Sequence, residues 1–154
     1  MKIETLIKSN VAFENAKRVF LNLMYTQNLI SEKLNETLKP FDISGEQFNV
    51  LRILRGQKGN PANMSMIQER MITKNSNTTR LIDKLLAKSL VTRNVCPENR
   101  RKIEIVITAK GLALLDELDP LVAANEELFV KNLSEDEQKV LIELLEKFRT
   151  INTQ

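Results

Sequence analysis

The chain has 154 residues, 42% hydrophobic and 28% charged, with a net charge of +3, which suits one compact domain with a core, or a small domain with an added dimerisation segment. It contains no histidine, one cysteine (Cys96) and four glycines. A Ser-His-Asp or Cys-His catalytic site, a histidine-ligated zinc and an intrachain disulfide are therefore excluded, and no Gly-rich phosphate loop is present.

No apolar run approaches the ~20 residues that span a bilayer. Met1-Lys2-Ile3-Glu4 opens without the apolar region of a signal peptide. The expectation is a cytoplasmic binding protein with no membrane contact, no metal and no cofactor, rather than an enzyme. Charge is unevenly spread. Residues 1–67 carry nine Lys/Arg against six Asp/Glu, residues 68–110 ten against four, and residues 111–154 four against ten. A basic block between a near-neutral and an acidic one points to a local polyanion site; ordinary surface scatter is the competing reading.

From Ile3 to Leu38, apolar residues at Ile7, Val11, Phe20, Leu23, Met24, Leu29, Ile30 and Leu34 recur mainly at spacings of three and four. This is the helical period, and Pro40 stops it. One long helix or two abutting ones are predicted. A helix at the end of so small a chain cannot bury both apolar flanks on one domain, so a partner subunit would cover the rest.

Ser44-Gly45-Glu46-Gln47 predicts a helix start, with Ser44 as N-cap and Gln47 as its reciprocal partner three residues on. Phe48, Val50, Leu51, Ile53 and Leu54 form its buried stripe, and Gly56 and Gly59-Asn60-Pro61 end it. Ser65 is expected to cap a short helix reaching Met71. Thr73-Lys74-Asn75-Ser76 reads as a turn, with Asn75 or Ser76 capping a further helix from Asn77 to about Ser89. There Leu81, Ile82, Leu85 and Leu86 face inward, and Asn77, Thr78, Arg80, Asp83, Lys84 and Lys88 outward. Two short helices around a brief polar turn form a helix-turn-helix.

Leu90–Val95 and Lys102–Thr108 have strand composition, and the charged stretch between them makes a β-hairpin. Thr108 or Ala109 opens the next helix, with Leu112, Leu114, Leu115 and Leu118 apolar; Pro120 is expected to kink or divide it. Ser134-Glu135-Asp136-Glu137 is a second capping box, followed by Val140, Leu141, Leu144, Leu145 and Phe148.

Five stretches in this order resemble the MarR family of bacterial regulators. Ile43-Ser44-Gly45-Glu46-Gln47-Phe48-Asn49-Val50-Leu51 is similar to the family's LT-x-x-Q-F-x-V-L helix. Asn77-Thr78-Thr79-Arg80-Leu81-Ile82-Asp83-Lys84-Leu85 is similar to its recognition helix. Leu90-Val91-Thr92-Arg93 is similar to L-V-x-R, and Asn99-Arg100-Arg101 with Ile105-Val106-Ile107-Thr108 and Gly111 to D-R-R…V-x-L-T-x-x-G. Leu133-Ser134-Glu135-Asp136-Glu137 is similar to L-S-x-E-E. Two positions depart. Asn99 stands where the family has an aspartate that orients arginine. Ser89 stands where it has a glycine in the left-handed conformation, so a strained or reshaped turn is expected there.

The resemblance implies a mainly α fold with a small β-hairpin wing: a winged helix-turn-helix with helical dimerisation extensions. Residues 1–40 would form an N-terminal dimerisation region, 41–110 the DNA-binding region and 111–154 the C-terminal dimerisation helices. It implies a sequence-specific regulator, a repressor acting as a homodimer on a pseudo-palindromic double-stranded DNA operator, released by a small aromatic or phenolic effector.

Arg80 is then the first candidate for a base contact, since its planar fork matches guanine O6 and N7. Asn77, Thr78 and Thr79 are candidates for bases or phosphates. Asn75 and Ser76 either join them or cap the helix. Lys74, Lys84 and Lys88 suit phosphates. The resemblance places Arg101 in a flanking minor groove, with Arg100 and Lys102 beside the backbone. Met24, Tyr25 and Phe48 are the effector candidates, with plain core packing as the alternative. Cys96, beside Arg100 and Arg101, is either a redox switch or an inert thiol. The rival to a DNA reader is a winged-helix module that binds only proteins.

Overall fold

The apolar period of the first forty residues is broken once, giving α1 (Ile3–Leu6) and α2 (Asn15–Leu38). Lys8 takes a left-handed φ of 54°, and the Ser9 hydroxyl accepts a hydrogen bond from the Val11 amide at 3.2 Å. A side chain that offers the backbone a local partner competes with helix continuation, and here it wins. The computed structural model describes residues 1–74, 76–96 and 99–150, with residues 96 and 99–102 described by their backbone alone.

α2 runs into a 3-10 turn (Lys39–Phe41) containing Pro40, and Asp42, at φ 54°, redirects the chain. α3 (Gly45–Arg55) starts at the expected capping box: the Gln47 amide donates to Ser44 Oγ at 3.2 Å, and the Ser44 amide donates to Gln47 Oε1 at 3.1 Å. α4 (Met64–Arg70) starts earlier than expected. Asn63, not Ser65, is its N-cap, accepting from the Met66 amide at 2.8 Å. α5 (Thr78–Ala87) is capped by Asn77, whose Oδ1 accepts from the Arg80 amide at 3.1 Å. Ser76 therefore does not cap it, and Asn75 lies outside the described residues.

β1 (Val91–Cys96) and β2 (Asn99–Ile107) pair antiparallel, with Val91 opposite Ile107 and a register shift between Val95 and Cys96. Ala62 adds a single bridge to Ile105. α6 (Ala109–Val130) passes through Pro120 as one helix. A proline removes one backbone donor, and the α6 ladder continues on either side of that gap. α7 (Glu135–Arg149) begins at the Ser134–Glu137 capping box.

The core gathers Leu38 from α2, Phe48, Val50, Leu51 and Leu54 from α3, Ile67 from α4, Ile82 and Leu85 from α5, Ile105 from β2, and Leu115 and Leu118 from α6. It lies directly beneath the helix-turn-helix and holds α5 from behind. By contrast α7 buries no residue of its own, and Val140, Leu141, Leu144 and Phe148 stand exposed.

The junction from α5 into the hairpin and α6 is tightly stitched. α5 ends with the Leu90 amide donating to Leu85 O at 3.0 Å and the Ser89 amide to Leu86 O at 2.9 Å. This is the double-bonded helix terminus that needs a left-handed residue, and Ser89 supplies it at φ 59°. The expected strain at this serine is thus located: a left-handed L-residue costs about 1–2 kcal/mol. Thr108 Oγ1 caps α6 by accepting from the Gly111 amide at 3.0 Å and donates to Ser89 O at 2.9 Å. A Cβ on Gly111 would sit 2.4 Å from Leu90 O and 2.7 Å from Ile107 Cγ1, so only glycine allows this approach.

Candidate nucleic-acid interface

α5 buries Thr78, Leu81, Ile82 and Leu85 and exposes Thr79, Arg80, Asp83 and Lys84. The buried set recurs at three and four residues, so the opposite face is a continuous polar stripe. Arg80 sits in the first turn of that stripe.

The turn before α5 is held from two sides. The Ile72 amide donates to Asn49 Oδ1 at 2.9 Å. Ser76 Oγ lies 2.9 Å from Glu46 Oε1 and 2.7 Å from Thr73 O, so its single proton serves either acceptor. Both outside partners are on α3. From α4, Gln68 accepts a hydrogen bond from the Thr78 hydroxyl and donates its amide to Lys74 O, while Lys74 Nζ donates to Glu69 O.

Several predicted contacts take other places. Thr78 is only 7% exposed, with its hydroxyl spent on Gln68, so it positions the helix instead of facing outward. Lys88 is half-buried and pairs with Asp42 Oδ2 at 3.0 Å, which draws it away from a phosphate role. Ser76 is half-buried in the turn. Lys74, Asn77, Thr79, Arg80 and Lys84 are exposed. Arg100, Arg101 and Lys102 lie on β2, and their side chains, like Asn75 as a whole, fall outside the described residues.

Asp83 does not pair with Arg80. Its Oδ1 lies 3.2 Å from Arg93 Nη2 on β1, and among the described residues no carboxylate forms an ion pair with Arg80. A second bridge ties α3 to α6: Arg55 donates two hydrogen bonds to Asp119, at 2.7 and 3.0 Å, with Asp116 at 3.8 Å. The Arg55 hydrogen bond holds the Asp119 carboxyl below its usual value, and the same contact raises the Arg55 guanidinium.

Behind the interface, an apolar cavity of about 390 Å³ opens between α2, α3 and α6, lined by Ile30, Leu34, Phe48, Arg52, Val122 and Phe129 among others. A neighbouring groove of about 690 Å³ shares Ile30, Leu34, Asn49 and Ile72 with it. Phe48 lines the cavity and is at the same time a buried core residue. Met24 and Tyr25 line neither. The groove follows one face of α2 through Leu23, Thr26, Gln27, Ile30 and Leu34, and Met24 and Tyr25 lie off that face. Arg52 was missed, although it sits four residues after Phe48 on the same helix face, its guanidinium 5.7 Å from the Phe48 ring centre. Among the described residues, no group of three metal-ligating side chains converges and no helix is long and apolar enough to cross a membrane.

Residues 43–103 match the model of the MarR family. The uncharacterised HTH-type transcriptional regulator YkoM of Bacillus subtilis is 31% identical, with 86% of this chain and 83% of that protein covered. The crystal structure of a cysteine-to-serine mutant of Escherichia coli MarR complexed with operator DNA is 26% identical, with a TM-score of 0.77 over 90% of this chain and 99% of that one. BpsR of Bordetella bronchiseptica, whose DNA binding is regulated by 6-hydroxynicotinic acid, is 20% identical and shares the fold at a TM-score of 0.79 over 92% and 100% of the two chains. With a helix-turn-helix, an adjoining hairpin and this shared descent, the chain belongs to the MarR family of winged helix-turn-helix, DNA-binding transcriptional regulators, which are not enzymes.

Proposed function

We propose that this regulator is a cytoplasmic repressor that acts as a homodimer on a pseudo-palindromic operator. Residues 41–110 form the reading unit, and residues 1–40 and 111–154 the dimerisation regions. The observation that carries the proposal is the polar stripe of α5, on which Arg80 is exposed while Asp83 is neutralised by Arg93. A helix of this kind enters the major groove with its N-terminal turn against base edges. Arg80 reads guanine there, Thr79 and Asn77 contact bases or phosphates, and Lys74 and Lys84 take phosphates. Asn75 and Ser76 flank the same groove from the turn. Arg101 enters the flanking minor groove, with Arg100 and Lys102 beside the backbone.

Dimerisation is supported by surface. The single chain exposes 11457 Å², against about 8,000 Å² for a compact monomer of its mass. The excess per chain is more than half of the roughly 2,000–5,000 Å² that a permanent dimer buries over both partners together, so the chain has surface to spare for one, and exposed Val19, Phe20, Leu141, Leu144 and Phe148 on α2 and α7 supply an apolar surface for it.

Release by a small effector is supported by the cavity around Phe48. Its volume suits a small molecule, and its mainly apolar wall carries one cation, Arg52, and one carboxylate, Glu126, beside the amides of Asn49 and Asn125. That combination fits an aromatic acid or phenolate, the class to which BpsR's 6-hydroxynicotinic acid belongs.

Selection of bound sequences from a random duplex pool tests the reading. An enriched inverted repeat with half-sites about one helical turn apart is expected. Arg80→Ala should then lose discrimination between selected and random duplexes, by about 1–3 kcal/mol, while retaining salt-sensitive binding to both. Absence of any enriched sequence would overturn it.

A further inference from the structure

The turn between α2 and α3 brings a lysine to the flank of α5 from far away in sequence. Lys39 stands exposed in the 3-10 turn, after the fully buried Leu38 and before Asp42, where the chain turns at φ 54°. Lys88, at the end of α5, donates to the Asp42 carbonyl oxygen and pairs with Asp42 Oδ2 at 3.0 Å, so the turn is stapled to α5. An open groove of about 610 Å³ lies between them, lined by Lys39, Asp42, Ser44, Gln47, Lys84 and Lys88 among others. Among the described residues Asp42 is the one carboxylate on its lining, and Lys88 matches it. Ser44 and Gln47 are engaged with each other in the capping box of α3. Glu36, one turn before Lys39, pairs with Lys33 at 3.2 Å. Lys39 and Lys84 are left: both are exposed, and among the described residues neither forms an ion pair.

We propose that this groove holds a backbone phosphate of the duplex, with Lys39 as its ligand beside Lys84. The proposal rests on the DNA reading above and extends the contact beyond α5 and the hairpin. Arg80, Lys84 and Lys88 follow one another at four-residue steps, roughly 6 Å of helix rise apart, so the exposed stripe leads from the first turn of α5 into the groove. The major groove of DNA is about 12 Å wide, and an α-helix with its side chains is about 10–12 Å across. A helix seated there runs close to both flanking strands, and cations on the flank of its later turns meet phosphate before they meet a base. Lys39 shares the groove with Lys84 on that flank. With Asp42 matched by Lys88, two uncompensated cations face the same space, which suits a phosphodiester and its charge-assisted hydrogen bonds. A phosphate carries no sequence information, so Lys39 supplies affinity and register and leaves discrimination to Arg80.

The test uses the full-length protein with its selected operator and a random duplex, titrated by anisotropy over a series of salt concentrations. Lys39→Gln should bind both duplexes more weakly by the same factor, about fivefold or more at low salt. Its slope of log affinity against log salt should be shallower by about 0.9 for each subunit on the duplex. Lys39→Arg keeps the charge and should keep both affinity and slope. Lys131→Gln removes an exposed lysine from the far end of α6, and should also keep them; thermal melting of each variant confirms that it is folded. If Lys39→Gln leaves affinity and slope as in the wild type, or if Lys131→Gln lowers the slope equally, the proposal falls while the DNA reading stands. It falls in the same way if Lys39→Gln weakens the operator and spares the random duplex, since Lys39 would then read a base. Calorimetry with inorganic phosphate covers the other source of the same chemistry: binding that Lys39→Gln abolishes, with an unchanged duplex slope, would make the groove a site for the free anion and overturn the duplex assignment. If the wild type binds no duplex in a salt-dependent way, the proposal and the DNA reading fall together.

Discussion

Asp83 on α5 and Arg93 on the first hairpin strand lie 3.2 Å apart, and this ion pair joins the two parts proposed to face DNA. It also neutralises the one acidic side chain on the exposed stripe of α5. Both partners are substantially solvent-exposed, so the pair contributes little to stability, about 0.2–1 kcal/mol.

Arg93→Ala should therefore leave the urea midpoint almost unchanged yet weaken operator binding, because the released Asp83 carboxylate then faces the phosphates. Asp83→Asn in the same background should restore most of the lost affinity. Anisotropy titrations of the two variants check this. Equal affinities for the single and double variants would show that Asp83 does not face the duplex.

Ser89→Gly should stabilise the fold by up to about 1–2 kcal/mol by removing the left-handed strain at φ 59°. The larger freedom of glycine in the unfolded chain offsets part of the gain. Gly111→Ala should do the opposite, costing about 1–3 kcal/mol or more, since its Cβ would meet the Leu90 carbonyl at 2.4 Å. Urea unfolding of both variants measures the pair of effects.

Thr78→Val should destabilise by about 1–3 kcal/mol, leaving the Gln68 carbonyl oxygen without its buried donor. Once corrected for the folded fraction, operator affinity should change little. A large loss of affinity in fully folded protein would place the hydroxyl on DNA instead.

The Arg55 hydrogen bonds hold the Asp119 carboxyl below its unfolded value, near 3.8. Its contribution is therefore fully present above that value and disappears as pH falls through the lower folded one. Both side chains are partly exposed, which limits the contribution to about 1 kcal/mol or less. Asp119→Asn should thus be less stable than the wild type at pH 7, and the gap should close as pH falls toward 2. Urea midpoints across that range follow it.

Local signals were the legible ones. The capping boxes at Ser44 and Ser134 need only residues three apart and lie where the sequence puts them; the hairpin needs only strand composition around a polar tip, although its second strand starts at Asn99, three residues before the expected Lys102. Choices between neighbouring polar residues were not legible. Asn63 displaced Ser65 and Asn77 displaced Ser76 because tertiary partners decide which side chain is free, and Ser76 is engaged near Glu46. Thr78 was assigned outward by its polarity, although it sits three residues before Leu81 and four before Ile82 and so shares their face. The break at Lys8 and Ser9 carries neither glycine nor proline, leaving nothing for a periodicity reading to find. Arg52 and Ile72 belong to a cavity made by three helices distant in sequence, and no local pattern marks it.

The stitching between the end of α5 and the start of α6 has a mechanical consequence. Thr108 grips the Ser89 carbonyl at 2.9 Å, and Lys110 Nζ grips that of Lys88 at 2.9 Å, so the two helices pivot together at that corner. α6, at 22 residues, is a beam of about 33 Å, and a tilt of about 5° at one end displaces the other by about 3 Å. In the proposed dimer on its operator, a small change of angle at the far end of this beam would thus become a shift of base-pair size in where each reading helix sits.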